Sequence, residues 1–147
     1  MDNCELRLNF LRAVYSEICG IGVLTEGVVY QASQAVGRIF AENIGQTPAL
    51  EAIKTALKKI GLEDFNVQRD EHEDFIVEIG ASQCLICSFK EKPLPDFCPI
   101  PGFLCSILEK ATGKIVFPLR WENRRFVVHE NAKCRIKIRV YQSKSKG

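Results

Sequence analysis

The stretch Arg135-Ile136-Lys137-Ile138-Arg139-Val140, close to the end of the chain, alternates basic and apolar side chains. Successive side chains of a β-strand point to opposite faces of its sheet, so this alternation predicts a strand with one apolar and one basic face. A strand with one solvated face is typical of an antiparallel sheet. We therefore expect the second half of the chain to be built on such a sheet, with the isoleucines facing the core.

Further segments are predicted to complete this sheet. Residues 65–69 and 75–79 also alternate, and the acidic stretch 70–74 between them predicts a hairpin turn. Residues 114–121 and about 126–141 have the composition of two final strands. The pattern thus predicts four strands.

Helical spacing dominates the first third of the chain. Residues 3–19 carry apolar side chains at helical intervals, and a second helix is predicted to begin at Thr25-Glu26 and to run to about Glu42. Thr47 is expected to cap a third helix that has Pro48 in its first turn and ends at Gly61.

A fourth helix is predicted between the strand pairs, after Pro101 and before Gly113. The expected fold is therefore α+β, with N-terminal helices packed on an antiparallel four-stranded sheet and one helix between the strand pairs. Residues 1–142 form a single domain in this interpretation, and the polar residues 143–147 form a disordered tail.

Composition limits the possible functions. Apolar residues make up 46% of the 147-residue chain and charged residues 26%, as in an ordinary soluble domain. A net charge of +2 argues against nucleic acid as the main partner. No apolar run approaches the length of a membrane span, and the start, Met1-Asp2-Asn3-Cys4-Glu5, lacks the pattern of a secretory signal. A cytoplasmic protein is expected.

The seven cysteines are the main chemical clue. An odd number without an export signal argues against a disulfide framework, which leaves buried thiols, metal ligands or reactive cysteines. Five of them lie between Cys84 and Cys134. Because a free cysteine behaves as a small apolar residue, we expect Cys4, Cys19 and Cys105 to be packing residues.

A resemblance to a known family follows from this second half. The residues concerned are Cys98-Pro99-Ile100-Pro101-Gly102-Phe103-Leu104, Thr112-Gly113-Lys114, Glu122 and Cys134-Arg135-Ile136, and together they resemble the 4-vinyl reductase domain. The resemblance implies an α+β layout akin to Bet3-like trafficking subunits. It also implies an apolar pocket for an aromatic, hydrocarbon or tetrapyrrole-like ligand, and a structural zinc.

The resemblance suggests metal ligands at Cys98, Glu122 and Cys134, to which Cys84, Cys87 or His129 could be added. The family would place a cysteine soon after Glu122, where this chain has Arg124-Arg125-Phe126, so one ligand of a closed zinc site is missing. The alternative is that these cysteines only pack.

The pocket is expected to be lined by aromatic residues, although the same side chains could equally form the core. The expected lining residues are Phe89, Phe97, Phe103, Phe117 and Trp121. No catalytic residue is assigned, because no dinucleotide or phosphate-binding loop is present to supply a hydride. Reduction of a vinyl group is therefore only a third hypothesis, after ligand binding and a ligand-free adaptor function.

Two surfaces suggest partners. Small residues at Ala32, Ala35 and Gly37 favour a homodimeric adaptor that pairs through its helices and binds no ligand. A set of basic residues predicts either a solvated sheet edge or a docking surface for an anion or a protein. This set comprises Arg120, Arg124, Arg125, Lys133, Arg135, Lys137 and Arg139.

Overall fold

The computed structural model describes residues 3–21, 25–42, 44–80 and 98–141, and the fold within them is α+β, as predicted. The helices are α1 (Asn3–Ile21), α2 (Glu26–Ala41), α3 (Ala49–Lys59) and α4 (Ile100–Thr112). The strands are β1 (Phe65–Arg69), β2 (Phe75–Gly80), β3 (Ile115–Leu119), β4 (Val127–Glu130) and β5 (Lys133–Tyr141). The polar tail expected at residues 143–147 lies outside the described residues.

The described strands form one antiparallel sheet in the order β1-β2-β5-β3, with β4 also paired to β5. The prediction of four strands is wrong, because the segment expected as one strand from about residue 126 to residue 141 is a hairpin. Asn131 and Ala132 both have positive φ, 51° and 60°, which is the backbone of a tight two-residue turn. Periodicity hides this turn, since the side chains alternate on both sides of it.

Strand β5 lies inside the sheet, between β2 on one side and β3 and β4 on the other. Cys134, Ile136 and Ile138 are buried, as the alternation predicts. The basic residues that alternate with them, Arg135, Lys137 and Arg139, are half-buried. The basic residues of β5 therefore occupy one face of an internal strand, and the expectation of a basic sheet edge is wrong for them.

The helix ends agree closely with the sequence pattern, except at α3. Thr25 caps α2 by accepting a hydrogen bond from the backbone N–H of Val28, as expected. Pro48, by contrast, is the N-cap of α3, and the Thr47 hydroxyl donates to the carbonyl of Ile44 instead of capping the helix. The start of α3 consequently has no side-chain cap.

Helix α4 is the centre of the core. All of its residues from Ile100 to Leu108 are buried, because the sheet and α3 pack on it together with α2. Two glycines allow α2 and α4 to approach closely. A Cβ atom on Gly37 would lie 2.7 Å from the carbonyl oxygen of Phe103, and one on Gly102 would overlap the carbonyl oxygen of Tyr30.

None of the described helices is both long enough and apolar enough to cross a membrane.

Candidate functional site

The expected metal ligands are only partly brought together. Cys134 on β5 and His129 on β4 are cross-strand neighbours, and the Sγ–Nδ1 distance is 3.2 Å. Cys134 is buried and His129 is exposed. Cys98 is half-buried against the core just before α4, and Glu122 is exposed in the β3–β4 loop.

The described candidates among these residues do not lie close enough together to form a metal site. Within the described ranges, no cluster of three or more His, Cys, Asp or Glu side chains is close enough to hold an ion. Cys84 and Cys87 lie outside those ranges, so the zinc prediction stays a prediction.

The expected pocket aromatics are placed on different surfaces. Phe103 is 5% exposed and packs edge-on against Phe40 beneath α2, with 5.4 Å between ring centroids. Phe117 is 51% exposed on the opposite face of the sheet, where its ring contacts Tyr141. These two phenylalanines therefore cannot line one cavity. Phe89 and Phe97 lie outside the described residues.

Trp121 is half-buried in the β3–β4 loop, and the guanidinium of Arg135 stands 5.2 Å from its ring. The indole N–H is buried and has no acceptor among the described residues. The contact with Arg135 places Trp121 beside the basic residues of β5.

Among the seven basic residues, three on β5 pair with carboxylates. Lys137 pairs with Asp70 at 3.1 Å, and Arg139 pairs with Asp74 at 2.8 Å. Arg135 lies 3.4 Å from Glu130. The predicted docking surface for an anion therefore loses much of its charge to partners within the fold.

Glu26 is a buried carboxylate that the sequence pattern did not single out as a site residue. It is the first residue of α2, and it accepts hydrogen bonds from the Arg120 guanidinium and, at 3.1 Å, from the backbone N–H of Phe126. A negative charge at a helix N-terminus also interacts favourably with the helix dipole. Glu26 thereby fastens the β3–β4 loop to the helical layer.

Two of the three cysteines expected to be packing residues, Cys4 and Cys105, are described by the structure, and they differ in exposure. Cys105 is buried in α4, as predicted, whereas Cys4 is exposed on α1, so the packing prediction is wrong there. Burial raises the pKa of Cys105 to about 12, and the negative charge of Glu109 adds to this, while a hydrogen bond with Tyr30 acts in the opposite direction. The Cys105 thiol is thus uncharged at neutral pH. The Cys19 side chain lies outside the description.

A cleft of about 260 Å³ opens where the start of α3, the β1–β2 turn and the α4–β3 junction meet. Arg69, Glu73 and Lys114 supply its charged groups, Val140 supplies an apolar wall, and the buried Phe75 lies at its base. The guanidinium of Arg69 pairs with Glu73 at 3.0 Å and lies 4.4 Å from the centre of the Phe75 ring. Of the predicted site residues that the structure describes, none lines this cleft.

A second surface consists of apolar side chains on α2 that face away from α4. We call it the α2 stripe, and it comprises Val28, Ala32, Ala35, Val36 and Ile39, all of them exposed. Val28, Val36 and Ile39 are 48%, 46% and 65% exposed. Gly37, which was expected to lie with the two alanines, packs on α4 instead.

Comparison with known proteins identifies the family. No curated protein matches this chain. The family model that matches is that of the MJ0207 family, over residues 22–140. This is a different family from the 4-vinyl reductase domain, so the resemblance to that domain is wrong, and the Bet3-like layout that it implied loses its basis. Because the matched segment includes most of the 147 residues, from before α2 to near the end of β5, the chain belongs to the MJ0207 family.

Proposed function

We propose that this chain is a protein-binding adaptor domain that pairs with a second copy of itself through the α2 stripe. The observation that carries the proposal is the exposure of five apolar residues along one side of a well-packed helix. Contiguous apolar surface on a soluble domain usually marks a binding site for another protein.

The spacing of the stripe favours a helix as its partner. Val28, Ala32, Ala35 and Ile39 follow one another at alternating intervals of four and three residues. This spacing produces the narrow seam with which two helices pack along their length. The opposite side of α2 is already buried against α4, so the seam is available only to a partner outside the described fold.

The order of residues in the seam favours a second copy over an unrelated protein. If two α2 helices pack antiparallel about a twofold axis between Ala32 and Ala35, Val28 of each copy faces Ile39 of the other. The alanines then meet at the centre, where small side chains permit close approach. Such self-complementarity is what a twofold interface requires.

Helix α1 adds a further apolar surface. Leu6, Phe10 and Leu11 are 52%, 67% and 62% exposed, and α1 takes part in none of the main packing contacts between described elements. An isolated helix is marginally stable in water, so packing against a partner would stabilise it.

The test is the oligomeric state of matched variants. We expect a dimer by light scattering or sedimentation for the wild-type protein, and a monomer for Ile39→Lys at the same concentration. Ile115→Lys is the control, since Ile115 is 54% exposed, on β3 rather than on α2. A wild-type protein that stays monomeric at high concentration would refute the proposal. So would an Ile39→Lys variant that remains dimeric while circular dichroism shows it folded.

Small-molecule binding is the second candidate function, and the cleft between α3, the β1–β2 turn and the α4–β3 junction is the observation that favours it. The cleft combines charged groups with an apolar wall, which is typical of small-ligand sites. This cleft is not the pocket that the aromatic residues predicted, since Phe103, Phe117 and Trp121 do not line it.

A structural zinc remains part of the proposal because Cys134 and His129 provide two adjacent donors of the types that zinc prefers. The remaining ligands would have to come from outside this pair, and Cys84 and Cys87 are the candidates. A reducing, cytoplasmic location would keep such thiols available. Elemental analysis tests this directly: one zinc per chain that is lost in Cys134→Ser supports it, and metal-free protein purified without chelators contradicts it.

A further inference from the structure

We propose that the cleft bounded by Arg69, Phe75, Lys114 and Val140 binds a small organic monocarboxylate with an apolar tail. This inference rests on the second candidate function, small-molecule binding, and is independent of pairing through the α2 stripe. It follows from the charges that the fold leaves in the cleft and from the space beside them.

Lys114 provides the excess positive charge. It lies just after the α4 terminator Gly113, and it forms no ion pair with any described residue. The charge of Arg69 is compensated by Glu73, at 3.0 Å. One uncompensated cation therefore remains among the groups lining the cleft, which matches a ligand with a single negative charge.

The start of α3 adds to this preference. Ala49, its first residue, lines the cleft, and the preceding Pro48 provides no side-chain cap. The first backbone N–H groups of a helix have no acceptor within the helix, and the helix dipole gives this end a partial positive charge. A carboxylate can accept hydrogen bonds both from such N–H groups and from a lysine.

Glu73 limits the charge of the ligand. Its carboxylate lines the same cleft, so it would repel a doubly charged phosphate ester more strongly than a monocarboxylate. The ion pair with Arg69 reduces this repulsion without removing it. The lining thus favours one negative charge over two.

Size and wall chemistry define the rest of the molecule. The side chain of Val140 presents apolar surface to the cleft, and the Phe75 ring, which is 1% exposed, lies behind the Arg69 guanidinium at its base. A volume of about 260 Å³ holds a molecule of roughly nine non-hydrogen atoms, if each takes up about as much space as a water molecule does in the liquid. An aromatic or short-chain monocarboxylate has this size.

Benzoate is a suitable probe, and its binding can be followed residue by residue through amide chemical shifts in NMR titrations. We expect shifts at the start of α3, at the β1–β2 turn and around Lys114. Lys114→Gln should weaken binding roughly tenfold, which corresponds to the loss of one charge-assisted hydrogen bond. Lys110→Gln is the control, since Lys110 is exposed in the last turn of α4 and does not line the cleft.

Two further measurements keep the test decisive. Benzamide, which has the same shape without the charge, should bind more weakly than benzoate. Ala49→Leu, which fills part of the cleft and leaves Lys114 in place, should also weaken benzoate binding. Equal affinity for benzamide and benzoate, or no benzoate-induced shifts around the cleft, would overturn the proposal. Benzoate shifts confined to another surface would overturn this site while leaving small-molecule binding itself supported.

Discussion

The guanidinium of Arg139 on β5 forms two parallel hydrogen bonds with the carboxylate of Asp74, each 2.8 Å long. The two partners differ sharply in exposure, because the Asp74 side chain is 1% exposed and that of Arg139 is 40% exposed. The pair ties the end of the β1–β2 turn to the interior strand of the sheet. These bonds also raise the pKa of Arg139.

This difference in exposure predicts unequal effects of removing either partner. Arg139→Met should lower the free energy of unfolding more than Asp74→Asn, since it leaves a buried carboxylate without its cation, whereas the arginine left by Asp74→Asn can turn to water. Urea denaturation of both variants measures the two losses. The double variant should lose less than the sum of the single losses, and additive losses would contradict coupling between the two groups.

Asp70 predicts how stability depends on pH. Burial acts to raise its pKa, but hydrogen bonds from Lys137 and from the backbone N–H groups of Asp74 and His72 outweigh it, so the pKa lies below the usual carboxyl value. A depressed pKa means that the folded protein holds the ionised form more strongly than the unfolded chain does. The stabilisation is therefore present above about pH 4, the range of an unperturbed aspartate, and is lost as the pH falls below it.

The corresponding experiment compares Asp70→Asn with the wild-type protein at two pH values. At neutral pH the variant should be less stable to urea. In strong acid the difference should shrink, because Asp70 is then protonated in both the folded and the unfolded wild-type protein. A difference that stays constant with pH would show that the ionisation of Asp70 does not contribute to stability.

Local patterns were sufficient to predict much of the fold. Thr25 was expected to begin α2 and Gly113 to end α4, and both do so, because capping and left-handed backbone depend on immediate neighbours. The hairpin of β1 and β2 follows from alternation in the same way. The turn at Asn131-Ala132 was missed since neither residue is a glycine.

The candidate sites could not be predicted in the same way, because they depend on distant pairs. The Glu26–Arg120 contact joins residues 94 positions apart, and the Arg139–Asp74 pair joins residues 65 positions apart. Periodicity contains no information about such partners. Phe103 and Phe117 illustrate the opposite error, since their closeness in sequence suggested a shared pocket, although a helix and a strand direct them to opposite faces of the sheet.

Substitution of Gly37 should lower the free energy of unfolding, because α2 and α4 are in close contact there. A Cβ atom there would lie 2.7 Å from the Phe103 carbonyl oxygen and 2.8 Å from Cβ of Ser106, so Gly37→Ala must push the helices apart. We expect a loss of about 1–3 kcal/mol in the free energy of unfolding, as for other overpacked cores.

Gly27→Ala is the matched control on the same helix, because its Cβ would meet no atom closer than 3.9 Å. Alanine is the better helix former, and because Gly27 is the second residue of α2 this control should gain at most the ~0.5–1 kcal/mol seen in a helix interior. Thermal or urea unfolding of the two variants checks both signs. A Gly37→Ala variant as stable as Gly27→Ala would contradict the close packing of α2 on α4.

The thiol of Cys105 should be unreactive in the folded protein. Burial raises its pKa to about 12, and only the thiolate reacts readily with alkylating reagents. Iodoacetamide at pH 8 should therefore label the exposed Cys4 and leave Cys105 unmodified until the protein is unfolded, as peptide mapping by mass spectrometry would show.

The raised pKa also fixes the direction of the pH effect. An unfolded cysteine ionises near pH 8.5, so the stabilisation that Cys105 contributes is complete below that pH and is lost as the pH rises toward 12. Cys105→Ala should abolish this alkaline loss, and rapid labelling of Cys105 in the native protein would contradict its position in the core.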